Sequence, residues 1–189
     1  MTCVVGIADG KTVWMGADSA GATDWNIRTS LIPKVFKKDG FLIGYTTSFR
    51  MGQLLQYSLD TKILAIKLGE YDDPIEFMVD RFVPDIKKLF KDEGFAKIEN
   101  NVEEGGCFMV GFQGKLFVIH SDYQVQQHAD PFESIGCGSE YALGCLYPRS
   151  HERHPSEIVR LALITAAYFS NGVQAPFTIL SVGEDNEDN

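Results

Sequence analysis

The chain has 189 residues and a formal net charge of −9, with 44% hydrophobic and 23% charged residues. This length and balance are typical of one soluble domain, so we predict a single domain over residues 1–183 and a flexible acidic tail over 184–189. The negative charge argues against nucleic acid or anionic membranes as partners, and no apolar stretch reaches the roughly 20 residues of a membrane span.

The sequence shows neither a targeting signal nor a typical metal-binding motif. A strand-like segment follows Met1 without a basic region, which predicts no signal peptide and a cytoplasmic location. His151 and His154 lie three residues apart just before a proline, and we interpret them as part of a polar loop rather than as metal ligands. We therefore expect neither a metal nor a cofactor. The cysteines lack CxxC spacing and are predicted to be free thiols; they are Cys3, Cys107, Cys137 and Cys145.

The N-terminal quarter of the chain predicts two β-hairpins. Residues 2–8 and 12–17 are β-rich runs separated by an Asp-Gly-Lys turn. Residues 34–37 and 41–46 form a second pair around an Asp-Gly turn. The intervening residues 19–32 are polar, and we interpret them as a loop with an irregular strand at 27–32.

Helical periodicity follows in two segments, residues 51–68 and 74–91. Pro74 suits the first turn of the second helix, whereas Pro84 inside the same pattern predicts a kink. Residues 92–105 are polar and carry no periodic pattern.

Strands return at residues 107–112 and 116–120, joined by a Gln-Gly turn, with a further short strand predicted at 123–127. The pattern then predicts helices at 138–147 and 155–169. A last strand is predicted at 176–182. Strands and helices occur in separate runs, which predicts an α+β fold. We expect a four-layer αββα sandwich, with two antiparallel sheets face to face and a helix pair on each outer side.

Three residues of the first segment together predict an N-terminal nucleophile site. Thr2 becomes the terminal residue if Met1 is removed, Asp18 ends a strand-like run, and Lys34 begins another. A threonine hydroxyl needs a base, and a free α-amine, with a pKa of about 8, can accept its proton. A nearby lysine would keep that amine neutral and stabilise negative charge on oxygen, while an aspartate would hold the lysine in place.

The same reaction needs backbone N–H groups that face the developing oxyanion. The turn that ends at Ser48, after the fourth strand, is placed to supply one. Each residue also has an ordinary interpretation: Thr2 as a chance N-terminal residue, Asp18 as a turn residue and Lys34 as a surface residue. From the residues alone, the catalytic and the structural interpretations remain equally open.

Residues 2–6 (TCVVG), 16–20 (GADSA) and 34–36 (KVF) resemble the N-terminus of proteasome β-type subunits and of the bacterial HslV-type protease. Residues 134–144 are similar to the G-S-G-x-x-Y-A-x-G segment of that family, and residues 167–172 are similar to its D-A-Y-S-G-G segment. The resemblance implies the Ntn-hydrolase sandwich and a threonine peptidase that cuts polypeptides inside a ring of identical subunits. It also implies an ATP-dependent unfoldase as a partner.

Carried over to this sequence, the resemblance implies catalytic roles for Thr2, Asp18 and Lys34. It implies supporting roles for Cys137 and Ser170. Cys137 stands where many members have serine, and a thiol is the weaker hydrogen-bonding group. It either supports the terminal amine or is a packed small residue.

Two further departures distinguish the chain from that pattern. Ala167 stands where β-type subunits have aspartate, which HslV-type enzymes also lack. The Thr47-Ser48 turn has no glycine where one is common. Two alternatives therefore stay open: an Ntn amidase that acts on small amides, and a non-catalytic structural subunit with the same fold.

Overall fold

The computed structural model describes residues 1–23, 26–99, 102–148 and 154–183. Its strands are β1 (Cys3–Ala8), β2 (Thr12–Ala17), β3 (Ala20–Thr23), β4 (Asn26–Thr29), β5 (Val35–Lys38), β6 (Phe41–Tyr45), β7 (Lys97–Glu99), β8 (Val102–Glu104), β9 (Phe108–Phe112), β10 (Lys115–Ile119), β11 (Val125–Gln126), β12 (Phe132–Gly136) and β13 (Thr178–Gly183). Its α-helices are α1 (Phe49–Gln53), α2 (Thr61–Leu68), α3 (Pro74–Phe77), α4 (Val83–Asp92), α5 (Ser139–Leu146) and α6 (Pro155–Phe169).

Two antiparallel sheets form the centre of the fold. The first has the strand order β12-β1-β2-β13, and the second has the order β11-β10-β9-β6-β5. The first predicted hairpin lies in one sheet and the second in the other. The remaining strands form two small separate hairpins, β3–β4 and β7–β8.

Strand β1 shows how the sequence produces the layers. Side chains alternate between the two faces of a strand. Cys3, Val5 and Ile7 pack against the helices α5 and α6. Val4 and Ala8 point the other way and join the core between the two sheets. Both faces of β1 are therefore buried, which explains its nearly continuous apolar run.

Strand β6 repeats this arrangement in the second sheet. Phe41, Ile43 and Tyr45 pack under the helical layer formed by α1 to α4, whereas Leu42 faces the inter-sheet core. The predicted four-layer αββα sandwich is thus confirmed. None of the described helices is long and apolar enough to cross a membrane.

The first predicted helix is interrupted, and its prediction as one continuous helix was wrong. Helix α1 continues into a π-helical turn, Leu54–Ser58, and the chain becomes extended at Leu59. Asp60 then caps a new helix, α2, because its side chain accepts a hydrogen bond from the N–H of Ile63 at 3.2 Å.

The second predicted helix contains a π-helical turn at Met78–Phe82, which ends two residues before Pro84. In this turn the N–H of Val83 bonds to the carbonyl of Met78, five residues earlier. A proline ring clashes with the carbonyl four residues before it in a regular helix, and the wider turn relieves that clash.

Two hairpins occur where the sequence predicted irregular structure. β3 and β4 pair within residues 19–32, and β7 pairs with β8 within residues 92–105. All four residues of β4 are exposed, so this strand lacks the alternation that marks a half-buried strand. The predicted tail at 184–189 and His151 lie outside the described residues.

Candidate active site

A buried ion pair joins the two sheets at one end of the sandwich. Asp18 follows β2 of the first sheet, and Lys34 precedes β5 of the second. The Lys34 Nζ atom lies 2.9 Å and 3.1 Å from the two carboxylate oxygens of Asp18. Only 1% of Lys34 and 2% of Asp18 is exposed, so water contributes little to solvating either charge.

Backbone donors from three segments hold the Asp18 carboxylate in place. It accepts hydrogen bonds from the N–H groups of Cys3 at 3.0 Å, Ala20 at 2.8 Å and Gln174 at 3.4 Å. These donors belong to the start of β1, the start of β3 and the segment before β13. The carboxylate orientation is therefore fixed by the backbone, and it in turn orients Lys34.

Two opposing effects set the protonation of Lys34. Burial disfavours the charged ammonium and lowers the pKa below its ordinary value of 10.5, while the Asp18 carboxylate opposes this shift. The Phe49 ring contributes an aromatic surface, with its centroid 5.9 Å from Nζ. The result is a lysine poised to release a proton more readily than an exposed one.

Thr2 and Lys34 meet at a single oxygen atom. The Thr2 hydroxyl donates a hydrogen bond to the carbonyl oxygen of Met1, and Lys34 Nζ donates to the same oxygen at 3.2 Å. The predicted nucleophile and the predicted charged partner therefore lie side by side, although Thr2 precedes β1 of the first sheet and Lys34 precedes β5 of the second. A peptide carbonyl already contacts both groups.

Cys137 lies on the opposite side of Thr2. The Thr2 N–H donates to Cys137 Sγ at 3.3 Å, and the thiol lies 3.4 Å from the Thr2 carbonyl oxygen. Ser170 Oγ is 3.7 Å from the same sulfur and accepts a hydrogen bond from the Gly172 N–H at 3.4 Å. Cys137 is exposed, so it lies at the surface of the site and not in the core.

Gly136 permits this close approach of two chain segments. A Cβ atom at this position would lie 2.2 Å from the Thr2 carbonyl oxygen, and the residue has a φ of +98°. Only glycine adopts this conformation without strain. The structure thus brings together five of the six predicted site residues, which are Thr2, Asp18, Lys34, Cys137 and Ser170.

Ser48, the sixth predicted residue, lies in a tight turn at the end of β6. Its backbone N–H donates to the carbonyl of Thr46 at 2.6 Å, across Thr47. Its hydroxyl caps helix α1 by accepting from the N–H of Met51 at 3.4 Å. Both polar groups of Ser48 therefore have partners within the turn and the helix.

Sequence reasoning missed two further residues at this site. Gln174 supplies a backbone donor to Asp18, and no side-chain pattern reveals a backbone contact. Phe49 lies beside Lys34, and its only sequence signal is its position after the cap of a helix.

The described residues contain no group of three histidine, cysteine or acidic side chains that could hold a metal ion. His154, one of the two histidines considered in the sequence, instead packs edge-on against Trp14 with ring centroids 5.8 Å apart.

Comparison with solved structures identifies the fold. BPH from Thiobacillus denitrificans in complex with epoxomicin superimposes with a TM-score of 0.72 at 16% identity, covering 97% of this chain and 99% of that one. BPH of the same organism gives 0.70 at 16% identity, covering 99% and 100%. Eukaryotic HslV from Trypanosoma brucei gives 0.69 at 17% identity, covering 96% and 99%.

Comparisons based on sequence alone found no match for this chain. No protein-family profile matches it. No curated protein matches it either. The structural similarity extends over nearly the whole chain, and it shows that the chain has the proteasome/HslV-type Ntn-hydrolase fold.

Proposed function

We propose that this chain, with its proteasome/HslV-type fold, is a threonine peptidase whose nucleophile is Thr2 after removal of Met1. One observation carries the proposal. The Thr2 hydroxyl and the Lys34 ammonium lie close enough to contact the same atom, the carbonyl oxygen of Met1, and the Asp18 carboxylate lies directly behind Lys34. A chance N-terminal threonine would not require a buried ion pair beside it.

The proposed reaction begins with proton transfer from the Thr2 hydroxyl to the free α-amine of the same residue. The hydroxyl oxygen then attacks the carbonyl carbon of a peptide bond, and the C=O bond becomes a C–O⁻ bond. The amine returns its proton to the departing peptide nitrogen as the C–N bond breaks, leaving an ester on Thr2. Water hydrolyses that ester by the same proton path in reverse order.

Lys34 and Asp18 provide the electrostatics of this cycle. A positive charge beside the α-amine favours the neutral amine, which is the form that accepts a proton. The same charge stabilises the negative oxygen of the tetrahedral intermediate. Asp18 keeps Lys34 in position, so its contribution is orientation.

Cys137 and Ser170 are proposed to position the terminal amine. Once Met1 is removed, the Thr2 nitrogen becomes a primary amine and faces the Cys137 sulfur, 3.3 Å away in the present structure. Ser170 lies on the far side of that sulfur. The pair therefore limits the directions in which the amine can point, which keeps it near its own hydroxyl.

The proposal extends to assembly and location. We propose a ring of identical subunits in the cytoplasm, working with an ATP-dependent unfoldase on polypeptide substrates. An exposed aromatic cluster on α5 and α6 supports self-association, because Tyr141 and Phe169 stack at 5.4 Å and Tyr168 meets Phe169 edge-on at 4.9 Å. Three exposed aromatic rings in one patch are typical of interfaces.

The test of the proposed function begins with the N-terminus. Mass spectrometry of the purified protein establishes whether Thr2 is free. The Met1-free protein is then assayed on unfolded protein and on fluorogenic peptides, beside Thr2→Ala and a distant control, Thr165→Ala, in helix α6. We expect activity in the control and none in Thr2→Ala, with unchanged assembly by light scattering.

Epoxomicin, which one BPH structure contains, is a second probe. We expect it to raise the melting temperature of the Met1-free protein but not that of Thr2→Ala. Activity confined to small acyl amides would instead support the amidase. Equal activity of Thr2→Ala and the Met1-free protein would contradict any role of Thr2.

A further inference from the structure

The turn between β6 and α1 conflicts with the chemistry proposed for the site. A peptidase needs a backbone N–H directed at the oxyanion of its intermediate. The sequence predicts that the turn ending at Ser48 supplies such a donor, and we consider the Ser48 N–H for this task. In the structure it is already donated to the Thr46 carbonyl at 2.6 Å, so it cannot serve the oxyanion at the same time.

Thr47 forms the tip of this closed turn and has a φ of +65°. That conformation is unfavourable for a β-branched residue, and such residues persist there only when surrounding contacts hold them. Here the surrounding contacts are visible. The Thr47 hydroxyl accepts a hydrogen bond from the N–H of Cys107 at 3.2 Å.

The neighbouring Thr46 attaches the turn to the same residue. Its N–H and its hydroxyl both donate to the Cys107 carbonyl, each at 3.0 Å. The Thr46 and Thr47 hydroxyl oxygens lie 3.2 Å apart. Cys107 precedes β9, which pairs with β6, so the turn is anchored to a rigid part of the second sheet.

We infer that Thr47 is a positioning residue that holds the Ser48 N–H in the closed turn through its hydrogen bond to Cys107, so that opening of the turn limits catalysis. Opening breaks the bond between Ser48 and Thr46 and relieves the unfavourable φ of Thr47. The turn lies beside Thr2, because a Cβ at Gly136 would be 2.2 Å from the Thr2 carbonyl oxygen and 3.2 Å from the Thr46 methyl group. The freed N–H is thereby available to the oxyanion. This inference rests on the proposed function and describes the regulation of that same site.

The closed and open conformations of the turn differ by few interactions. The equilibrium between them is therefore sensitive to the Thr47 side chain. Removal of the Thr47 hydroxyl deletes the bond to Cys107, whereas the β-branched shape that disfavours the closed turn is kept. Thr47→Val makes this change with nearly the same volume. Thr47→Ser retains the hydroxyl and is the matched control, and Thr165→Val removes a hydroxyl that bonds to Leu161 within helix α6.

The test compares two inhibitors on the Met1-free protein. A peptide aldehyde adds to the Thr2 hydroxyl: the Oγ–C bond forms, the C=O bond becomes C–OH, and the Thr2 proton ends on that oxygen. The matching peptide alcohol binds the same surface but cannot add. The ratio of their affinities therefore reports on donors at the oxyanion position.

We expect Thr47→Val to raise the affinity ratio of aldehyde to alcohol about fivefold, the factor that corresponds to one ordinary hydrogen bond. Turnover should rise with little change in KM, and Thr165→Val should behave as the parent protein. Thr47→Ser keeps the hydroxyl and loses the β-branch that disfavours the closed turn, so it should show no rise in the ratio or in turnover. An unchanged or lower ratio in a folded Thr47→Val protein would overturn the inference.

A second measurement needs no variant of the turn. The ¹⁵N-labelled amide of Ser48 is observed by NMR while the aldehyde or the alcohol is added. We expect a large shift of this amide with the aldehyde only, and an unmoved amide would also overturn the inference. If Thr2→Ala keeps the full aldehyde preference, the proposed function itself fails, which is a distinguishable result.

Discussion

Substitution of Asp18 by asparagine tests the buried pair on which the site depends. The change keeps the shape of the side chain and removes its charge, leaving Lys34 as a buried cation without a partner. Lys34 Nζ is 2.9 Å from the carboxylate, and the two side chains are 1% and 0% exposed. Breaking a buried pair from one side costs about 3–5 kcal/mol.

The backbone donors add to this cost. An asparagine offers one acceptor oxygen and an NH₂ group, so it cannot accept from all three of the N–H groups that now reach Asp18. The substituted side chain would therefore leave at least one donor unsatisfied, at a further cost of about 1–3 kcal/mol. We expect Asp18→Asn to lower the free energy of unfolding by about 5 kcal/mol, which is a large part of the total for a domain.

The assay is a double-mutant cycle measured by urea unfolding. Lys34→Met removes the cation and fills a similar volume. We expect the double variant to be more stable than Asp18→Asn alone by about 2 kcal/mol, because no buried charge is left uncompensated. If the two single effects simply add, or if Asp18→Asn costs less than about 1 kcal/mol, the buried-pair argument is refuted.

The pH dependence provides an independent check. Burial lowers the pKa of Lys34 below 10.5 in the folded protein, and Asp18 opposes this shift. Without Asp18 the folded pKa falls further, so between that pKa and 10.5 the unfolded chain binds more protons than the folded one. Lys34 should therefore contribute a stability that rises with pH in that window, more strongly in Asp18→Asn than in the parent. Buried acids such as Cys3 and Tyr45, whose pKa burial raises to about 12, contribute the opposite slope. The Lys34 contribution is therefore measured as the difference in slope between each protein and the same protein carrying Lys34→Met.

Two other predictions concern a thiol and the sheet packing. Iodoacetamide should modify the exposed Cys137 thiol and abolish hydrolysis of a fluorogenic peptide. Cys3 should stay unmodified, because burial raises the pKa of its thiol to about 12. The Cys137→Ser protein should remain active under the same treatment. Gly6→Ala should destabilise the fold by about 1–3 kcal/mol in urea unfolding, because the new Cβ would lie 2.7 Å from Met109 Sδ and 2.9 Å from Leu116. Unfolding at the parent urea midpoint would contradict the packing argument, and inhibition of Cys137→Ser by iodoacetamide would contradict the role of the thiol.

The layers of the fold could be predicted because their residues carry strong periodic signals. Helix α6 begins and ends at the predicted residues, 155 and 169, since Pro155 opens it and its apolar stripe is continuous. The break at Leu59 could not be seen. Leu54, Leu55 and Leu59 all pack into the same core, so the apolar pattern runs through the π-helical turn without a gap.

The site could be predicted only in part, because some of its residues are far apart in the sequence. Thr2, Asp18 and Lys34 lie at the ends of strands near the start of the chain. Their positions at these strand ends could be read from the sequence. Cys137 lies 135 residues from Thr2 along the chain, and only the resemblance to a known family pointed to it. The closed turn at Ser48 depends on backbone torsion, which residue identity does not reveal at a position without glycine.

The site also depends on how closely the two sheets pack. Asp18 follows a strand of the first sheet and Lys34 precedes a strand of the second, so their 2.9 Å contact requires the ends of the two strands to lie close together. Gly44 lies opposite Val35, the neighbour of Lys34. A Cβ at Gly44 would lie 2.6 Å from Val4 and 2.7 Å from Met15 of the first sheet.

The close contact at Gly44 therefore lets the two layers approach until the lysine reaches the carboxylate. Because packed interiors do not yield smoothly, a change in this inter-sheet core is transmitted to the charged pair. The geometry beside Thr2 thus depends on the close packing of the two sheets at Gly44 as well as on the charged pair itself.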